Sequence, residues 1–177
     1  MPSAAASPLG PTAPPMAPVT ITRINGITVT ATLVPHGICF PSYAFRFDTP
    51  DASIVFSGDT ALSPNLVALA RDADVMVHEA VSFAYFESEG ITPTLMAHMK
   101  SSHTDVGDVA GVAKAAGVPT VILSHLGPGD PRSIDNAQWE ALARAGAAKA
   151  GYRGTIVAPP DLARFDLHGR RIGRVSR

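Results

Sequence analysis

Three apolar runs of strand length, SIVFSGDT, DVMVHE and PTVILSH, are separated along the chain by segments carrying helix signals. That alternation leaves few architectures open. Between the first two runs, Ser63 offers an N-cap and Pro64 a first helical residue. Between the second and third, HTDVGDVAGVAKAAG places Val106, Val109, Ala110 and Ala113 on one helical face. Asp105 and Asp108 lie near its start and Gly117 follows its end. Beyond the third run, IDNAQWEALARAGAAKAG repeats Ile134, Ala137, Ala141, Ala145 and Ala148. The repeat predicts a helix with that stripe inward and Trp139 off it, at the core edge or against a partner. Upstream, ITVTATLV alternates as a strand does, and YAFRFD joins SIVFSG through the turn TPDA, a predicted hairpin. TIVA and ARFDL read as further strand segments. The fold class is therefore α/β, a mixed sheet with covering helices.

A chain of 177 residues, 46% apolar, can bury one sizeable core, so one domain is the expectation. Residues 1–18, rich in Pro, Ala and Ser, read as a disordered lead-in, residues 19–168 as the folded unit, and residues 169–177 as a basic tail. The lead-in lacks the basic and apolar regions of a signal peptide, and no apolar stretch is long enough to span a bilayer, so no membrane partner is expected. A single cysteine, Cys39, fits a reducing, cytoplasmic setting. The formal net charge of −1 gives no global field favouring nucleic acid or an anionic surface.

Four strand-like runs end in a potential metal ligand or proton-transfer group: His36, Asp59, the pair His78 and Glu79, and His125. In open α/β sheets, sites gather beyond the carboxyl ends of strands. Imidazole and carboxylate suit Zn²⁺ and related divalent ions, and a carboxylate between two ions can bridge them. Each residue also has a plainer reading. Asp59 in Gly-Asp could be turn chemistry. His36 and His125 could open loops, His78 could be a core histidine bonded to backbone, Glu79 could start a helix, and His103 could sit at an exposed cap. His98 is expected to be exposed.

Taken in order, FSGDT, NLVALARDADVMVHEA, SSHTDVGDVAGVAKAAGV and VILSHLGPGD resemble the metallo-β-lactamase superfamily, and within it the ribonuclease Z-like and arylsulfatase-like branch. The resemblance runs from about Ile27 to Leu167. It implies that His36 binds one metal, His125 a second, and Asp59 bridges both, with two Zn²⁺ ions in the intact family. It implies that Glu79 polarises His103, which passes a proton to the leaving group. The implied function is a metal-dependent hydrolase, a phosphodiesterase of ribonuclease Z type acting on RNA. A hydrolase of a small ester, lactone or sulfate ester is the alternative. The family's His-x-His-x-Asp-His cluster has no counterpart, since no His-x-His occurs in the chain. The resemblance is thus to the C-terminal half only, one half of an αββα sandwich. Its inner sheet face is expected to lack cover, which implies a homodimer or a complementing N-terminal half. A half-domain without catalysis of its own is the other reading.

Overall fold

The computed structural model describes residues 6–7, 10–168 and 171–175. In chain order the elements are β1 (Ala6–Ser7), β2 (Gly10–Pro11), β3 (Val19–Ile24), β4 (Ile27–Leu33), β5 (Tyr43–Asp48), β6 (Ser53–Phe56), α1 (Pro64–Leu69), β7 (Val75–Val81), α2 (Phe83–Ser88), α3 (Pro93–Ser102), α4 (Val106–Ala116), β8 (Thr120–Gly127), α5 (Asn136–Ala150), β9 (Thr155–Val157), β10 (Arg164–His168) and β11 (Arg171–Val175). Strands β3 to β9 form one mixed sheet in sequential order. The first half is an antiparallel meander, β3 to β6, and the second half is parallel, β6 to β9. The change of direction follows from the connections. Short turns join β3 to β4 and β5 to β6, and the loop that carries His36 joins β4 to β5, whereas each parallel step needs a crossover, here through α1, α2 to α4, and α5.

Strand alternation gives the sheet two different faces. Val55, Met76, Val121 and Ile156 share one row and are buried in a core that includes Leu66 and Leu69 of α1, Val109 of α4 and Trp139 of α5. Arg46 lies in the same row beside Val55. Its guanidinium bonds the Leu69 and Arg71 carbonyls at 3.1 and 2.8 Å, satisfying acceptors at the C-terminal end of α1. The opposite face carries Phe45, Phe56, Val77, Ile122 and Val157 in one row. There Tyr43, Phe45 and Phe56 are exposed, in keeping with the uncovered face expected from the sequence.

The helix caps fall where the sequence places them. Ser63 accepts from the Leu66 N–H ahead of Pro64, Asp105 accepts from the Gly107 N–H, and Gly117 closes α4 in a left-handed conformation. The inward face of α5, however, is the reverse of the one the alanine stripe predicts. Trp139, Ala143, Gly146 and Ala147 are buried, and Ala137, Ala141, Ala145 and Ala148 face out. Small residues carry little directional signal, and one large indole outweighs several alanines in buried area. A Cβ on Gly146 would collide with the Gly107 backbone, so the two helices meet with nothing between them.

Three segments differ from expectation. Val19–Ile24, not read as a strand, pairs with β4 through a register shift between Thr20 and Thr22. Part of the lead-in is tied to the body: Asn65 receives the Met16 N–H and donates to the Pro14 carbonyl, and Thr12 is buried. The expectation of disorder rests on composition; the Asn65 amide, the Thr32 hydroxyl on the Met16 carbonyl and the Thr12 hydroxyl on the Gly37 carbonyl supply the tether instead. The basic tail pairs in part, since Arg171–Val175 lies antiparallel to Arg164–His168. The rest of the lead-in and tail, residues 1–5, 8–9, 169–170 and 176–177, lies outside the described residues. Among the described residues, no helix is long and apolar enough to cross a membrane.

Candidate metal and proton-transfer site

The site is assembled at the carboxyl-end side of β4, β6, β7 and β8, with Glu79 and His125 still within β7 and β8. Asp59 follows β6 on a loop that needs a glycine. Gly58 has φ +60°, and a Cβ there would meet the Tyr43 carbonyl. The residues flanking Asp59 anchor this loop to β7 and to the segment before α4. The Ser57 hydroxyl receives the Glu79 N–H at 3.1 Å, and the Thr60 carbonyl receives the Thr104 hydroxyl at 2.7 Å.

Glu79 is 2% exposed on β7. Its Oε1 accepts from the backbone N–H of Thr60 at 3.3 Å and of Thr104 at 2.7 Å. One carboxylate oxygen thus holds the loop that bears Asp59 and the loop that bears His103. Oε2 has no hydrogen-bond partner among the described residues. His103, the C-cap of α3, brings Nδ1 to 3.5 Å from Oε1, an ion-pair contact too long for a good hydrogen bond. The carboxylate draws the His103 imidazole above its ordinary pKa, against the opposing effect of burial.

His125 occupies a bulge. Glu79 pairs with Ser124 and Ala80 with Leu126, so β8 holds one residue extra, and His125 takes φ +43°. The bulge re-aims the ring. His125 Nε2 lies 3.4 Å from Asp59 Oδ2, and its ring stacks on His103 at 5.7 Å between centroids. His36 contacts His103 edge-on at 5.0 Å. Its Nδ1 sits 2.9 Å from the Ser102 carbonyl. A carbonyl can only accept, so Nδ1 carries the proton and Nε2 keeps the lone pair a metal needs.

All five residues singled out from the sequence therefore lie together. The tightest donor trio is Glu79, His103 and His125, whose ligand atoms lie within 4.8 Å of one another. Asp59 joins through His125 and His36 through His103. Imidazole and carboxylate donors suit Zn²⁺ and its neighbours. The unpartnered Glu79 Oε2 and His103 Nδ1 are what a cation or a substrate proton would satisfy, so the donor set fits a divalent ion. His78 is not part of the cluster. It is fully buried, its Nδ1 sits 2.6 Å from the Glu79 carbonyl, and burial lowers its pKa. His98 is exposed. Sequence reasoning missed Ser57, Thr60 and Thr104, whose short polar side chains and amides carry no distinguishing pattern.

A mixed sheet with crossover helices on one face carries histidine and carboxylate donors at its strand ends, the layout of an α/β protein with a candidate metal centre. The family model described as the β-lactamase superfamily domain matches residues 4–126, and the chain belongs to that family, on its ribonuclease Z-like branch. It is 30% identical over 154 residues to ribonuclease Z of Mycobacterium tuberculosis H37Rv, covering 83% of this chain and 51% of the relative. It is 35% identical over 129 residues to ribonuclease Z of Pseudomonas putida, covering 69% of this chain and 36% of the relative. The chain thus spans about half the length of the mycobacterial relative. Among solved structures, the metallo-β-lactamase fold protein YhfI from Bacillus subtilis matches with a TM-score of 0.55 at 17% identity, over 80% of this chain and 49% of that one. An isothiocyanate hydrolase from Delia radicum gut bacteria matches with a TM-score of 0.56 at 15% identity, over 80% and 56%. Both share the fold.

Proposed function

We propose that this chain supplies the metal-binding and proton-transfer groups of a Zn²⁺-dependent phosphodiesterase of ribonuclease Z type, working in the cytoplasm on RNA. The observation that carries the reading is the convergence of His36, Asp59 and His125 with the Glu79–His103 pair. A bound divalent ion supplies Lewis-acid polarisation of the attacked ester. His36 and His125 would hold the metal, and Asp59 would be the ligand shared if two ions bind. Glu79 holds His103 in place and favours its protonated form, and His103 delivers the proton to the leaving oxygen. The kinship with ribonucleases Z supports the phosphodiester; a small ester, lactone or sulfate ester is the other substrate class the same groups serve.

The test is zinc titration by calorimetry alongside hydrolysis of bis(p-nitrophenyl) phosphate. Asp59→Ala and His125→Ala should weaken zinc binding and abolish hydrolysis, whereas Glu79→Gln should keep zinc and lose rate. Loss of zinc in Glu79→Gln would transfer that residue to the metal and overturn the assigned roles. A second reading is favoured by the exposed row of Tyr43, Phe45 and Phe56. In it, the chain acts only once a second apolar layer, from another copy or a complementing N-terminal half, covers that face. Sedimentation velocity decides it: an active monomer rules it out.

A further inference from the structure

The loop that carries His36 is held by two separate parts of the chain. The first is the C-terminal end of α3, which spends its last carbonyls on the loop. Ser101 accepts from the Gly37 N–H at 3.0 Å, and Ser102 accepts from His36 Nδ1 at 2.9 Å. The approach is close: a Cβ on Gly37, at φ +54°, would meet the Ser102 hydroxyl and the His98 ring. The second is the segment before β3. Thr12 is buried, and its hydroxyl donates to the Gly37 carbonyl at 3.3 Å. The residue after His36 thus has its N–H held by α3 and its C=O held by Thr12.

Residues 12–16 are themselves fastened to the strand that leads into His36. The buried Asn65 amide accepts the Met16 N–H at 3.1 Å and donates to the Pro14 carbonyl at 2.9 Å and to the Leu33 carbonyl, the last of β4, at 3.0 Å. The Thr32 hydroxyl donates to the Met16 carbonyl at 3.3 Å. Pro14 and Pro15 fix φ in advance, so ordering this stretch costs less chain entropy. Bonds from β4 and α1 could serve packing alone, but the Thr12 bond ends on the neighbour of a candidate ligand. Groups that support a ligand from behind set where its ring stands. We propose that Thr12 is a positioning residue for the metal centre: through Gly37 it fixes the His36 backbone so that the ring stays beside His103, and residues 12–16 form the strap that carries it. The proposal rests on the reading of His36 as a metal ligand.

Zinc affinity is measured by calorimetry on the full-length chain. Thr12→Val keeps the shape and removes the hydroxyl. It should weaken zinc binding about three- to tenfold, at or below the low end for losing a ligand's support, because Thr12 acts through Gly37. Thr12→Ser should restore the affinity. His36→Ala should weaken zinc by more, and Thr12→Val added to it should cost nothing further, whereas a merely structural role costs the same with or without His36. Amide exchange by NMR in EDTA reads the loop without metal. In Thr12→Val the Gly37 and Cys39 amides, bonded to the Ser101 and His36 carbonyls, should exchange about fivefold faster or more relative to those of β8. Unchanged zinc affinity in Thr12→Val, no rescue by serine, an equal loss in the His36→Ala background, or Gly37 exchange that moves only with β8 would overturn the proposal. If His36→Ala itself leaves zinc binding unchanged, the ligand reading fails and the proposal with it. If His36→Ala weakens zinc and Thr12→Val does not, the proposal alone fails.

Discussion

Replacing Glu79 separates its structural work from its electrostatic work. In Glu79→Ala the amides of Thr60 and Thr104 lose their acceptor, and both residues are buried. An unsatisfied buried donor costs about 1–3 kcal/mol. The Thr60 contact at 3.3 Å is long, so the pair should cost about 2–4 kcal/mol in total. Glu79→Gln keeps an oxygen at the Oε1 position and places nitrogen at Oε2, which has no partner to lose among the described residues. Only the charge assistance goes, a loss of about 1 kcal/mol. The ion pair with His103 needs separating from this. A raised His103 pKa adds stability that is fully present below the ordinary value of 6.5 and is lost as pH rises through the raised value. Urea unfolding of metal-free protein at alkaline pH therefore isolates the hydrogen bonds. In parallel, the His103 ring proton is followed by NMR against pH. Its pKa should fall in Glu79→Gln and in Glu79→Ala alike, while only the alanine variant loses most of its stability. Equal destabilisation by the two variants, or an unmoved His103 pKa in Glu79→Gln, refutes the reasoning.

The same substitution should act with opposite signs at two helical glycines. Gly146→Ala drives a Cβ into the Gly107 backbone, and overpacking of about 1–3 kcal/mol outweighs the roughly 1 kcal/mol gain in helix propensity, so thermal stability should fall. Gly111→Ala meets nothing within 4 Å and should stabilise by up to about 1 kcal/mol; a like sign for both in calorimetry defeats the packing argument. His78, whose pKa is lowered by burial, resists protonation when folded but not when unfolded. Stability should therefore drop as pH falls below 6.5, by up to about 1.4 kcal/mol per pH unit from this group. His78→Asn keeps an N–H for the Glu79 carbonyl and does not titrate, so in urea it should show a shallower acid loss than the parent.

Much of the framework was legible because its signals are local. Ser63-Pro64 and Asp105 cap helices through bonds to residues two or three positions away, and the TPDA turn closes a hairpin over a few residues. The missed β3 has a local signal, the Asn25-Gly26 turn with positive φ at both residues that joins it to β4, but the other failures are non-local. The regular alanine repeat of α5 suggests one inward face, whereas the face is set by Trp139 and by the bare approach of Gly146 to Gly107. Nothing in the composition of the lead-in reveals the Asn65 amide that holds Met16 and Pro14. At the site, the residue types were visible at strand ends, but the bulge that turns His125 toward Asp59 was not. It comes from a mismatch between β7 and β8, a relation between two strands rather than a property of either.

Strand direction explains why Glu79 on β7 can serve neighbouring loops. A strand in the parallel half has neighbours running the same way on both sides, so its carboxyl end lies beside both of theirs. Glu79 uses this position. It reaches the loop after β6 through Thr60 and the loop before α4 through Thr104, and its own pairing with Ser124 sets where the β8 bulge begins. A residue on the antiparallel side could not do the same, because the partner strand there presents its amino end. The direction change at β6 therefore does more than vary the topology. It gives Glu79 a position from which one buried carboxylate holds two loops, the one after β6 and the one before α4.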